Sequence, residues 1–159
     1  MERLARRLGE RLKAAGAQLV TAESCTGGWA AQVVTSVAGS SEWFERGFVT
    51  YSNAAKQEAL GVRPETLRRH GAVSEQTAQE MALGALARSK GSLALSITGV
   101  AGPGGGSPDK PVGTVCFAWA EAKGLIKSET LQFAGDRESV RRQSVVHALE
   151  GVLKALDGG

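Results

Sequence analysis

Across Thr21-Ala22-Glu23-Ser24-Cys25-Thr26-Gly27-Gly28 a β-rich stretch gives way to a helical one, and hydroxyl, thiol and glycine residues crowd the turn. The first N–H groups of a helix have no partner within it. Such a turn can therefore hold an anion, or present a nucleophile beside ready donors for an oxyanion. Ser24 is the candidate nucleophile. Cys25 is a second, because a helix start lowers a thiol pKa. Glu23, Thr26 and Gly27 are candidates for the surrounding oxyanion or substrate contacts. In the alternative reading Ser24 or Thr26 does no more than cap the helix.

Lys56 closes the segment Phe48-Val49-Thr50-Tyr51-Ser52-Asn53-Ala54-Ala55-Lys56. With Asn53 as N-cap it lies in the first helical turn, where the macrodipole disfavours a cation. That placement, with desolvation, would depress its pKa and suit it to act as a general base. Left in solvent it would be an ordinary surface lysine. Thr98 opens a third segment, running through Gly102, Pro103, Gly104 and Gly105 to Gly106. Its glycines let backbone approach a ligand closely and can form an anion nest, or simply a long turn. It carries neither a P-loop nor a dinucleotide fingerprint. Ser107-Pro108-Asp109-Lys110 matches S-x-x-K in form only, since Pro108 and the glycines oppose the helical turn that such a pair needs. Arg137 and Arg141 share a helix face and could neutralise a phosphate, or form a wet surface with Glu138. His70 and His147 lack metal-ligand spacing, which disfavours a zinc hydrolase or a Ser-His-Asp triad. No metal or cofactor is expected.

The elements that must position these residues follow from periodicity and punctuation. Leu4, Leu8 and Leu12 predict a first helix ending at Gly16, and Gln18–Ala22 a short strand. A helix runs from the glycines to about Val37, and Gly47–Tyr51 is β-rich. Pro64 starts a helix that ends at Gly71, and Ser74 starts one with Ala78, Met81, Ala82 and Ala85 on a face. Leu93–Ile97, Gly113–Ala120 and Leu125–Phe133 read as strands, the last two antiparallel. Asp136 caps a final helix with the stripe Val145, Leu149, Val152 and Leu156. Alternating helices and strands followed by a hairpin predict an α/β fold: one three-layer domain spanning 1–159, its mixed sheet covered by helices on both faces.

Bulk composition sets the outer limits. The 159 residues are 42% hydrophobic and 22% charged, enough for a real core and unlike a disordered chain. A net charge of +3 and 5% aromatics are too little for a nucleic-acid surface, yet compatible with an anionic small substrate. Cys25 and Cys116 form no C-x-x-C pair, so neither a disulfide framework nor a zinc site is suggested. No apolar run is long enough to span a membrane, and a cytoplasmic location is expected. A homo-oligomer is compatible with the sequence.

Taken together and in order, T-A-E-S-C-T-G-G, G-F-V-T-Y-S-N-A-A-K, S-I-T-G-V-A-G-P-G-G-G-S and K-P-V-G-T-V resemble the CinA C-terminal domain family over essentially the whole chain. Stand-alone members of that family are nicotinamide mononucleotide deamidases. The resemblance implies hydrolysis of the substrate's carboxamide to nicotinate mononucleotide and ammonia, in pyridine-nucleotide recycling, with no metal or organic cofactor. It implies Ser24 as nucleophile and Lys56 as its base, with Tyr51, Thr98 and the Gly102–Gly106 loop at pocket positions. Gly104 departs from the pattern, because relatives often carry a larger polar residue after the proline. Many relatives also carry a preceding domain, whereas the first helix here begins at Met1, so only the amidase portion is expected. A nucleotide-binding or competence-related regulatory module without turnover is the alternative.

Overall fold

The computed structural model describes residues 1–158. Helix α1 (Glu2–Ala15) buries Ala5, Leu8 and Leu12 and ends at Gly16, whose φ of 65° turns the chain back onto the carbonyls of Leu12 and Lys13. Strand β1 (Leu19–Glu23) is buried along its whole length. Helix α2 (Trp29–Thr35) follows, then a 3-10 turn at Ser40–Glu42 and strand β2 (Phe44–Val49). Helices α3 (Asn53–Leu60), α4 (Pro64–His70) and α5 (Glu75–Ala87) lead to β3 (Leu93–Gly99). The hairpin β4 (Thr114–Glu121) and β5 (Gly124–Gln132) precedes α6 (Arg137–Leu156).

The five strands form one mixed sheet in the order β2-β1-β3-β4-β5. β1 runs parallel to both β2 and β3, and β4 and β5 are antiparallel to their neighbours. Period-two alternation separates two apolar layers. Leu19, Leu95, Ile97, Phe117 and Trp119 pack with Leu8, Leu12, Leu149 and Val152 on one face. Val20, Ala22, Ala94, Ala118 and Ala120 pack with Leu60, Met81, Ala82 and Ala85 on the other. Helices α1, α2 and α6 thus cover one face and α3 to α5 the other, as the α/β reading requires. The buried Trp119 indole donates to the carbonyl of Ala148 at 3.0 Å, so its one polar group is satisfied. Helix α5 crosses α3 at close range: a Cβ on Gly84 would fall 1.8 Å from the Leu60 carbonyl oxygen.

Several local boundaries differ from the sequence reading: most strand ends shift by one or two residues, and β3 runs on through Thr98 to Gly99. β2 starts at Phe44 rather than Gly47, because pairing with β1 recruits residues that have no strong strand pattern of their own. α2 stops at Thr35, short of Val37. Ser52, not Asn53, caps α3, its side chain accepting from the Ala55 N–H; two good cap residues stand side by side and the first is used. The caps Ser74 and Asp136 fall where the sequence puts them. Among the described residues no helix is long and apolar enough to cross a membrane.

Candidate active site

The connection from β1 to β2 carries α2 over one face of the sheet, and that from β2 to β3 carries α3 to α5 over the other. Crossovers that leave on opposite faces open a crevice at the carboxyl ends of the strands, the usual ligand position in open α/β sheets. The chain places Ser24 directly after β1, Tyr51 after β2, and Thr98 at the end of β3. All three line one cleft of about 210 Å³, together with Cys25, Lys56 and Arg137.

At its floor the Ser24 N–H donates to the Ile97 carbonyl at 3.0 Å, and the Thr50 N–H donates to the Glu23 carbonyl at 2.8 Å. The main chain at the head of the turn is therefore held by both flanking strands. Lys56 Nζ lies 3.0 Å from Ser24 Oγ, 3.1 Å from the Thr50 carbonyl oxygen and 3.3 Å from that of Tyr51. The lysine is only 1% exposed. Helix α3 explains this: Lys56 and Leu60, four residues apart, are its two buried positions, so the lysine occupies the stripe that faces the protein. Burial pushes the Lys56 pKa below the ordinary lysine value, against a smaller upward pull from Cys25. Burial likewise raises the Cys25 thiol to about 11. A helix start does not turn Cys25 into a thiolate here, and at neutral pH it carries a neutral S–H.

Glu23 is fully buried. Its carboxylate accepts from Thr26 Oγ1 at 2.6 Å, the Ala30 N–H at 2.8 Å and the Ala31 N–H at 3.1 Å. The anion at the start of α2 is thus the protein's own, and neither Ser24 nor Thr26 caps that helix. The Gly27 N–H is taken by the Ser24 carbonyl at 3.0 Å. Those of Cys25 and Thr26 donate to no other residue among those described. Gly27 and Gly28 adopt φ of 60° and 100°, which only glycine accepts without strain.

Other candidates are dispersed. Thr98 donates its hydroxyl proton to the Ala72 carbonyl at 2.8 Å, tying the α4–α5 loop to β3. Arg137 donates to the Gly102 carbonyl at 2.8 Å and to the Tyr51 hydroxyl at 3.3 Å, spanning the cleft mouth. Arg141 turns inward: its guanidinium donates to the carbonyls of Cys25 and Thr26 at 3.0 and 3.2 Å and lies over the Trp29 ring. It braces the turn from behind. Glu23, Thr26, Gly27, Gly102, Gly104, Gly105 and Arg141 are outside the cleft wall, and a Cβ added to Gly104 would meet nothing within 4 Å. Lys110 does not meet Ser107 as a dyad; its ammonium goes to the His70 carbonyl. The cleft also uses Asn53, Ala72, Val73, Gly99 and Ala101, which the sequence reading does not single out. For Asn53 a signal is present: with Ser52 able to cap, its amide is left without a structural task. Among the described residues no three His, Cys, Asp or Glu side chains cluster as a metal site.

The CinA C-terminal domain family matches residues 1–156, and the chain belongs to that family. Nicotinamide-nucleotide amidohydrolase PncC of Escherichia coli (strain K12) is 58% identical over 147 residues, which cover 92% of this chain and 89% of that protein. The PncC of Pseudomonas putida is 54% identical over 151 residues, covering 95% and 94%. Among solved structures, competence/damage inducible protein CihA from Agrobacterium tumefaciens superposes with a TM-score of 0.94 at 48% identity, covering 98% of this chain and 94% of that one. A CinA superfamily protein from Klebsiella pneumoniae gives 0.95 at 39% identity, covering 99% and 98%.

Proposed function

We propose that the chain is a nicotinamide-nucleotide amidohydrolase, converting nicotinamide mononucleotide to nicotinate mononucleotide and ammonia through a Ser24 nucleophile and a Lys56 base. The observation that carries this reading is the set of partners around Lys56 Nζ. A neutral amine has two N–H bonds and one lone pair. The carbonyls of Thr50 and Tyr51 can accept both N–H bonds, at 3.1 and 3.3 Å, leaving the lone pair for the Ser24 O–H at 3.0 Å. Burial favours the neutral amine that this geometry needs. The names of the E. coli and P. putida relatives support the substrate.

In this mechanism Ser24 Oγ attacks the carboxamide carbon while Lys56 takes its proton. The oxyanion is met by the N–H group of Cys25, which lines the cleft beside Ser24. The C–N bond then breaks, Lys56 returns the proton to the departing nitrogen, and ammonia leaves an acyl ester on Ser24. Water, deprotonated by Lys56, adds to that ester; the acyl C–O bond breaks, Lys56 returns the proton to Ser24 Oγ, and the carboxylate leaves. The substrate's pyridinium makes its carbonyl more electrophilic, and the exposed Tyr51 ring offers it a face. Ammonia release from nicotinamide mononucleotide, absent with a binding module, tests the reading directly.

Two further outcomes are expected. The reactive form of Lys56 is the neutral amine, so kcat/KM rises with pH through the lowered lysine pKa and is lost below it. A profile that is flat, or that falls over this range, contradicts a lysine base. Arg137 is the cationic side chain lining the cleft mouth and supports recognition of the 5′-phosphate. Nicotinamide riboside should therefore lose at least about tenfold in kcat/KM relative to the mononucleotide. Equal efficiency on both removes the phosphate from the recognition.

A further inference from the structure

We infer that Glu23 is a positioning residue for this reaction: its buried carboxylate is a built-in anion that fixes the Ser24–Gly27 turn, and with it the N–H group of Cys25 that faces the cleft, without touching the substrate. The inference rests on the proposed role of Ser24. A buried carboxylate is costly unless its oxygens are satisfied, and those of Glu23 are, by Thr26 Oγ1, the Ala30 N–H and the Ala31 N–H. What matters is where those donors lie in the chain.

An ordinary cap comes from the residue next to the helix and secures only the helix. Here that position is Gly28, which has no side chain to offer, and α2 carries no side-chain cap from it. The helix instead takes its anion from a residue seven positions before Ala30. The side chain therefore closes a ring around the whole turn, with Ser24, Cys25 and Thr26 inside it. The Glu23 backbone is simultaneously fixed, its carbonyl accepting from Thr50 at 2.8 Å. Arg141 grips the outer side of the same turn through the Cys25 and Thr26 carbonyls. The Cys25 N–H shares its peptide plane with the Ser24 carbonyl, which accepts from the Gly27 N–H at 3.0 Å, so a turn held by Glu23 from below and by Arg141 from outside restricts the rotation of that plane. An oxyanion hole depends on that preorganisation.

Glu23→Gln keeps one oxygen for Thr26 and Ala30 but sets an NH2 group against the Ala31 N–H, so one support of the ring fails. The expected result is a fall in kcat of about 10- to 100-fold, less than the roughly 100- to 1000-fold of a deleted oxyanion-hole donor because the donor is displaced rather than removed, with KM within about twofold and the midpoint of the rising pH limb unmoved. Thr26→Val, which removes only the hydroxyl, should lower kcat in the same sense, and Thr26→Ser should restore it. Leu149→Ala, in the α1–α6 layer of the core, supplies a variant destabilised elsewhere. Assayed well below its melting temperature, it should keep wild-type kcat. Wild-type kcat in Glu23→Gln, or a KM that rises as kcat falls, overturns the inference. Equal loss of kcat in Leu149→Ala does the same, since it reduces Glu23 to general stability. Should Glu23→Gln fail to fold, the Thr26 pair decides, and wild-type kcat in Thr26→Val is then the overturning result. Full activity in Ser24→Ala removes the proposed nucleophile and this inference with it, whereas an inactive Ser24→Ala beside a fully active Glu23→Gln removes this inference alone.

Discussion

Ser24→Ala is expected to lower kcat by about three orders of magnitude or more while the fold and ligand affinity persist. Lys56→Ala should do the same, because the serine is a weak nucleophile without a partner to take its proton. The informative measurement is the double variant. Two groups that act in one step are lost together, so Ser24→Ala with Lys56→Ala should be scarcely slower than either alone. Cys25→Ala is the internal comparison. Its thiol is raised to about 11 by burial and is neutral at the pH of assay, so removing it should leave most activity. An inactive Cys25→Ala beside an active Ser24→Ala would move the nucleophile by one residue. Near-normal kcat in both Ser24→Ala and Lys56→Ala would end the serine–lysine mechanism and leave the cleft as a binding site.

Gly84→Ala should lower stability although alanine is the better helix former. Helix propensity favours the change by about 1 kcal/mol, since alanine replaces glycine inside α5. The crossing with α3 opposes it: the new Cβ would stand 1.8 Å from the Leu60 oxygen and 2.8 Å from its carbonyl carbon. These are backbone atoms, which cannot swing aside as a side-chain end can. Overpacking costs about 1–3 kcal/mol; against backbone atoms that cannot swing aside the upper end applies, and after the propensity gain a net loss of about 2 kcal/mol is expected. For a chain of this size that lowers Tm by about 4–8 °C. The same separation of helices moves α3, which carries Lys56, so kcat should fall with Tm. A Tm equal to or above that of the wild type would mean that the two helices relax without strain.

Much of this architecture is legible because it is written in local chemistry. The caps Ser74 and Asp136, the terminating Gly16 and Gly71, and the leucine stripe of α1 each act over a few residues. The start of β2 is not legible, because Phe44-Glu45-Arg46 becomes a strand only by lying beside β1. The site divides in the same way. Ser24 and Lys56 can be named as candidates, yet their 3.0 Å approach joins residues 32 apart in sequence and depends on α3 packing against the sheet. Lys56 carries one further signal, Leu60 four residues on, which marks it as facing inward. Helical spacing groups Arg141 with Arg137, but one turn of α6 separates a residue at the cleft mouth from one that braces the turn behind it. Glu23 reads as a ligand-side group because nothing in the sequence tells that its donors are Thr26, Ala30 and Ala31.

The hairpin has a practical use. Glu121 pairs with the first residue of β3, whereas the cleft opens at the last, so the exposed tip at Ala122 and Lys123 lies at the end of the sheet away from the chemistry. Both native cysteines are buried, and burial raises both thiols. A single cysteine introduced at Lys123 would therefore be the one ready thiolate on the molecule. Maleimide coupling there would tether the protein to a bead or electrode, or carry a fluorophore, with the cleft still facing the solution.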